Sequence, residues 1–265
     1  MARPHVLIRD VVISYGAGPG TQTLHAAGPL RLEIGEGAFV TLVGPSGCGK
    51  TSLLNAIAGL VPIPEGQILI HGRPVTGPGI DRALVFQDYA LLPWRTVRDN
   101  VSFGLTLSAR RASASDVERR VSEALRLVGL DEFAHHYPHQ LSGGMKQRVG
   151  IARALVVEPE ILLMDEPFAA VDALTREVMQ GELLRILQAR RMTVVFVTHS
   201  IDEALLLGDS VVVMSARPGQ VRDVLTIPFP RPRDPDAVRA APDYLDLRER
   251  IWRTLREDRA FVQRS

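Results

Sequence analysis

At 265 residues, with 31 basic and 30 acidic side chains, a net charge of +1 leaves no global field to draw the chain to nucleic acid or an anionic membrane, so no nucleic-acid partner is expected. Hydrophobic residues at 46% and charged residues at 23% are ordinary for a folded globular protein and exclude a disordered or fibrous chain. No run approaches the roughly 20 apolar residues of a membrane span or the apolar segment of a secretory signal, and the one cysteine, Cys48, allows no internal disulfide, so a cytoplasmic chain is expected.

Val6 to Tyr15 and Leu30 to Ile34 read as strands of an antiparallel region, separated by a Gly/Pro-rich turn at Gly16 to Gly20. Phe39 to Val43 is an apolar run that ends in glycines and gives way to a helical pattern at Ser52 to Ala58. Ala83 to Phe86, Ile161 to Met164, Val194 to Thr198 and Val211 to Met214 are further apolar runs. Continuous rather than alternating apolar residues imply burial on both faces, hence a mainly parallel sheet under helices. Residues 88–157 carry helical patterns at Val97 to Thr106, Asp116 to Val128 and Met145 to Val156, and read as a helical insertion. Pro228 to Pro242 reads as an irregular surface segment, followed by an amphipathic helix at about Tyr244 to Arg259 whose arginines mostly fit a solvated face. The fold class predicted is α/β, with one domain over 1–228 and a C-terminal extension over 229–265 ending in a helix.

Gly44-Pro-Ser-Gly-Cys-Gly-Lys50-Thr51 satisfies the P-loop pattern in the context it requires, after a strand and opening a helix. Glycines let successive backbone N–H groups turn towards phosphate oxygens, and the helix N-terminus adds its positive dipole. Gly44, Pro45, Ser46, Gly47, Cys48, Gly49, Lys50, Thr51 and Ser52 are therefore the expected nucleotide cradle, with Lys50 on the β- and γ-phosphates and Thr51 on Mg²⁺. Only Lys50 and Lys146 are lysine among the basic residues, and both lie in motifs, as expected where a compact ammonium cannot be exchanged for a guanidinium. Cys48 serves as a spacer, yet its position beside Lys50 and a helix N-terminus predicts a lowered pKa and quick alkylation in the empty protein. Ile161-Leu-Leu-Met-Asp165-Glu166 is an apolar strand ending in two carboxylates, the form of a Walker B segment, with Asp165 expected to hold Mg²⁺ and Glu166 to act as general base on water. These two motifs predict an Mg-dependent nucleotide triphosphatase. His135, His136 and His139 form a cluster, but no cysteine or carboxylate pattern completes a metal site, so the segment reads as a loop.

Leu141-Ser142-Gly143-Gly144-Met145-Lys146-Gln147-Arg148 resembles the signature of ABC ATPases, with Met145 in place of the usual glutamine. The resemblance runs over roughly Val6 to Pro228 and implies a P-loop NTPase fold of the ABC ATPase type, with a parallel core sheet, an antiparallel β subdomain and a helical insertion. It implies that Gln87 senses Mg²⁺ and the γ-phosphate, that His199 contacts the γ-phosphate, and that Asp172 occupies the D-loop position. Tyr15 resembles the aromatic that stacks on adenine, with a core tyrosine as the alternative. In that family each ATP lies between the P-loop of one subunit and the signature of the other, here Ser142, Gly143 and Gly144, so a head-to-tail homodimer is implied.

Asp88-Tyr-Ala-Leu-Leu-Pro-Trp94 is oddly apolar beside a nucleotide sensor, and in importers of this family the corresponding region receives a helix of the membrane permease. Leu91, Leu92 and Trp94 could instead pack inside the helical insertion. Leu92-Pro-Trp94, Asp165-Glu-Pro-Phe168 with Asp172-Ala-Leu-Thr-Arg176, and Ser215-Ala-Arg-Pro-Gly219 resemble the importers for nitrate, taurine and aliphatic sulfonates, and Gly77-Pro-Gly79 tilts the reading to taurine. The resemblance implies integral permease subunits, an extracytoplasmic solute-binding protein acting indirectly, and a peripheral place on the cytoplasmic face of the plasma membrane. The alternatives are another small-solute importer, an exporter, or a non-transport ABC ATPase.

Overall fold

Alternation sets the first strand: β1 (Val6–Tyr15) buries Val6, Ile8, Val11 and Ile13, and the pattern slips by one where Asp10 takes a left-handed backbone, φ 48°. The computed structural model describes residues 4–16, 24–106, 113–169, 171–188, 192–216 and 218–262. After β1 come β2 (Leu24–Ile34), β3 (Phe39–Val43), α1 (Lys50–Ala58), β4 (Glu65–Ile70), β5 (Arg73–Pro74), β6 (Arg82–Val85), α2 (Val97–Thr106), α3 (Ala114–Leu127) and α4 (Gly143–Leu155). The order continues with β7 (Ile161–Asp165), α5 (Ala173–Gln188), β8 (Thr193–Val197), α6 (Ile201–Leu207), β9 (Ser210–Met214), β10 (Val221–Thr226), α7 (Pro235–Ala240) and α8 (Pro242–Val262). Among the described residues no helix is long and apolar enough to cross a membrane.

The chain divides into two units, Met1–Gly79 with Arg191–Ser265, and Ile80–Arg190. In the first, β1 is flanked by β2 and β4, with β5 beyond β4, all antiparallel. Its second sheet places β3 between β8 and β9, both parallel to it, with β10 antiparallel on β9. β3 and β8 are buried at every position, as sequences apolar except for Thr41 and Thr193 lead one to expect. In the second unit β6 and β7 pair in parallel, and α2, α3 and α4 pack on one another. The α/β class, the parallel core strands, the antiparallel sheet and the helices α2, α3 and α4 of the second unit agree with the sequence reading.

Several elements depart from that reading. β2 begins at Leu24 because pairing with β1, such as Ala27 opposite Ile13, recruits a stretch whose Ala, Gly and Pro carry no strand preference. The turn expected at Gly16 to Gly20 lies, beyond Gly16, outside the described residues. α5 surrounds Gly181 and buries Met179, Leu183, Leu184, Ile186 and Leu187 on a broad face, which blurs any single stripe. The segment expected to be irregular contains α7, because Pro235 suits a first helical turn and Asp234 caps it, its Oδ1 accepting from the amides of Asp236 at 2.9 Å and Ala237 at 3.5 Å. The arginines of α8 do lie on an exposed face as read, at Arg248, Arg250, Arg253 and Arg256, and two of them also form surface ion pairs, Arg248 with Asp202 at 2.9 Å and Arg250 with Asp223 at 2.8 Å.

Candidate functional site

Parallel pairing fixes where the motif residues of the first unit emerge. Leu42 is paired with Val197, and Gly44 and His199 each follow two residues later, at the same carboxyl edge of the sheet. The loop from Gly44 then turns into α1 through Gly49, whose φ of 92° a side chain would resist. Space is restrictive too: a Cβ on Gly44 would lie 2.8 Å from Cys48 Sγ and 2.9 Å from Met214 O, and one on Gly49 2.7 Å from Ala27 Cβ. Lys50 is buried at the start of α1, and its ammonium donates to Gly44 O at 2.9 Å and Pro45 O at 3.1 Å. Ser46, Gly47 and Thr51 are exposed around it. The result is a tight, glycine-bearing backbone turn at a helix N-terminus with one buried cation, a polarity that suits a phosphate chain.

Tyr15 is 40% exposed and donates to Ser52 Oγ at 3.0 Å, so the core alternative for this ring does not hold. His199 is exposed and follows the buried Thr198. Cys48 corrects an expectation: the thiol is only 1% exposed, and burial pushes its pKa up, outweighing the attraction of Lys50. A nearby cation lowers a thiol's pKa, but burial disfavours the thiolate and can outweigh that attraction.

In the second unit the same logic applies to β6 and β7. Val85 is paired with Met164, and Gln87 and Glu166 each lie two residues further on. Asp165 is buried at the end of β7, while Glu166 is half-buried with φ 43°, a left-handed backbone uncommon for a non-glycine residue and found disproportionately at functional sites. Gln87 is exposed. Ser142 caps α4, its Oγ accepting from Met145 N at 3.3 Å, so the amide at the departing signature position is used whatever its side chain. Asp172 Oδ1 accepts from Thr175 N at 3.0 Å, and bonds from Thr175 hold its carboxyl below the ordinary value. Thr175 also abuts Gly144, where a Cβ would meet its Cγ2 at 3.2 Å, so signature and D-loop share one contact.

Two features escape sequence reasoning. Tyr89 and Ala90, just after Gln87, have φ 57° and 46°, and Arg153 of α4 donates to their carbonyls at 2.9 and 2.6 Å. Burial pulls the Arg153 guanidinium down from its ordinary value. Asn100 is fully buried and latches the same segment, accepting from Leu92 N at 2.8 Å and donating to Leu92 O at 3.1 Å. Trp94 is 72% exposed, so the interior alternative fails for it, whereas Leu91 and Leu92 are half-buried.

A family model described as ABC transporter matches residues 28–169. The taurine import ATP-binding protein TauB of Rhizobium johnstonii is 50% identical over 234 residues, covering 87% of this chain and 88% of that protein. The nitrate import ATP-binding protein NrtD of Synechococcus elongatus is 47% identical over 220 residues, covering 83% and 80%. Among solved structures, the ATP-binding cassette MJ0796, determined as a dimer in a post-hydrolysis state bound to ADP and Pi, superposes with a TM-score of 0.74 at 32% identity, covering 84% of this chain and 99% of the other.

Proposed function

The chain belongs to the ABC transporter family, as an ATP-binding subunit, and we propose that it hydrolyses ATP to energise uptake of a small anionic or zwitterionic solute, taurine or another sulfonate. The observation that carries the ATPase reading is the cradle from Gly44 to Ser52, closed to side chains at Gly44 and Gly49 and holding the buried ammonium of Lys50 against its own carbonyls. Similarity of 50% to a taurine import protein supports the substrate class, and 47% to a nitrate import protein keeps nitrate as the second reading.

In this proposal Lys50 and the loop amides bind the β- and γ-phosphates, and Tyr15 offers an exposed ring to adenine. Thr51 and Asp165 supply the hard oxygen donors that Mg²⁺ takes, with Gln87 as sensor. Mg²⁺, when bound, offsets charge that gathers on the phosphate oxygens. Glu166 takes a proton from water, whose oxygen bonds to the γ-phosphorus while the bond to the bridging oxygen breaks and its electron pair leaves with ADP. General-base help of this kind is worth about 10²–10⁴ in rate. His199 orients the γ-phosphate. Ser142, Gly143 and Gly144 of a second copy complete each ATP site and Asp172 lies beside them, so the working unit is a homodimer, for which a dimeric relative gives support. It works at the cytoplasmic face of the plasma membrane under integral permease subunits, with a solute-binding protein acting indirectly. The ATPase domain is taken as 1–228, with 229–265 as an appended extension.

Glu166→Gln tests this: turnover should fall by at least about 10² while ATP binding persists, and light scattering should show ATP-trapped dimers. Hydrolysis near the wild-type rate, or monomers at saturating ATP and Mg²⁺, overturns the assignment.

A further inference from the structure

α6 is only 7 residues long and begins two residues after His199. Helices this short do not hold themselves, so what grips the ends decides where α6 sits. The C-terminal segment grips both. At the first turn, Asp202 Oδ1 accepts from the Tyr244 hydroxyl at 2.7 Å and from Arg248 Nε at 2.9 Å, both on α8. At the far end, Arg233 Nη1 donates to Leu206 O at 3.2 Å and Arg231 Nη2 to Leu207 O at 3.4 Å, serving carbonyls that a helix terminus leaves without intrahelical donors. Both guanidiniums also bind Asp209, Arg231 Nε at 2.9 Å and Arg233 Nη2 at 3.1 Å, and Asp209 Oδ2 accepts from Phe39 N at 2.9 Å at the base of β3. Tyr244 and Arg233 are buried, which gives these bonds more weight than surface pairs.

The far side of this arrangement reaches His199. Thr198 Oγ1 donates to Glu203 Oε2 at 2.5 Å and accepts from Ser200 N at 3.0 Å, while Ser200 Oγ accepts from Glu203 N at 3.3 Å. Glu203 of α6 thus ties the residues on either side of His199, and any shift of α6 passes to that turn.

We propose that residues 229–262 form a brace whose hold on both ends of α6 fixes the His199 turn, making Tyr244, Arg231 and Arg233 positioning residues for ATP hydrolysis. This rests on the role given to His199 above. The test uses the full chain and single-turnover hydrolysis, which measures slow rates, in wild-type and His199→Ala backgrounds. Tyr244→Phe and Arg231→Gln should each lower kcat about threefold or more, as side chains remote from a ligand can, with KM for ATP within about twofold and the melting transition still cooperative. In the His199→Ala background neither should lower the rate further, the non-additivity expected of groups acting through one another. Asp202→Ala should match Tyr244→Phe, and Asp202→Asn, whose amide oxygen still accepts, should restore kcat. Wild-type kcat in folded Tyr244→Phe, Arg231→Gln and Asp202→Ala, or equal losses in both backgrounds, overturns the brace while leaving His199 in place. Wild-type hydrolysis by His199→Ala instead removes the role of His199, and the brace with it.

Discussion

Gly219 is the position where one methyl group should do the most damage to the phosphate cradle. It is pinned to β2 on both sides, its carbonyl accepting from Gly28 N at 2.8 Å and its own amide donating to Ala26 O at 3.4 Å. A Cβ there would lie 1.8 Å from the carbonyl oxygen of Cys48 and 2.9 Å from its carbonyl carbon, both backbone atoms of the P-loop. Ordinary contact begins at 3.4 Å, so Gly219→Ala must drive the two backbones apart by about 1.6 Å. Overpacking of this kind costs about 1–3 kcal/mol, which for a chain of this size lowers the melting temperature by roughly 2–12 °C. Displacement of a binding group by about 1 Å can cost about 10²-fold in rate, so ATP affinity and hydrolysis should fall more than stability does. Differential scanning fluorimetry, a fluorescent ATP analogue and steady-state hydrolysis read the three effects. Gly35→Ala is the control, since nothing lies within 4 Å of a Cβ there. A Gly219→Ala protein that binds ATP and hydrolyses it like wild type would show that Gly219 does not support the loop.

Cys48 should react slowly with N-ethylmaleimide at neutral pH and faster as pH rises, because a raised pKa leaves little thiolate near neutrality; quick labelling at pH 7 would contradict the burial, and Cys48→Ser should keep hydrolysis. Arg153→Leu leaves the carbonyls of Tyr89 and Ala90 without their guanidinium donor, so hydrolysis stimulated by the permease should drop about tenfold, with the free subunit's ATP binding retained; unchanged stimulation refutes a coupling role. Trp94→Asp should abolish co-purification with permease subunits without altering the subunit's melting, given its exposure of 72%; normal assembly would exclude this side chain from the interface.

What was legible in the sequence is what local backbone chemistry dictates. The P-loop glycines Gly44, Gly47 and Gly49 are written into one short stretch because the turn needs them there, and the strands before Gly44 and ending at Asp165 announce themselves by near-continuous apolar runs. Partners supplied from far along the chain left no such trace. Arg153 reaches Ala90 across a separation of 63 residues, and no local pattern singles it out from its neighbours. Cys48 shows the same division in one side chain: Lys50 is visible two residues away, but the burial that outweighs it is a property of the folded unit. The arginines near the C-terminus go further, because their role depends on an element that was itself illegible. A helix of 7 residues gives too few turns for a periodic stripe, so α6 could not be read, and neither could the carbonyls at its end. Arg231 and Arg233 therefore showed no partner within a segment read as irregular surface. Burial lowers the pKa of Arg233, Asp209 opposes that effect, and the guanidinium bonds to Leu206 O and Phe229 O: a charge this enclosed and this fully engaged is structural, which surface charges as a class are not.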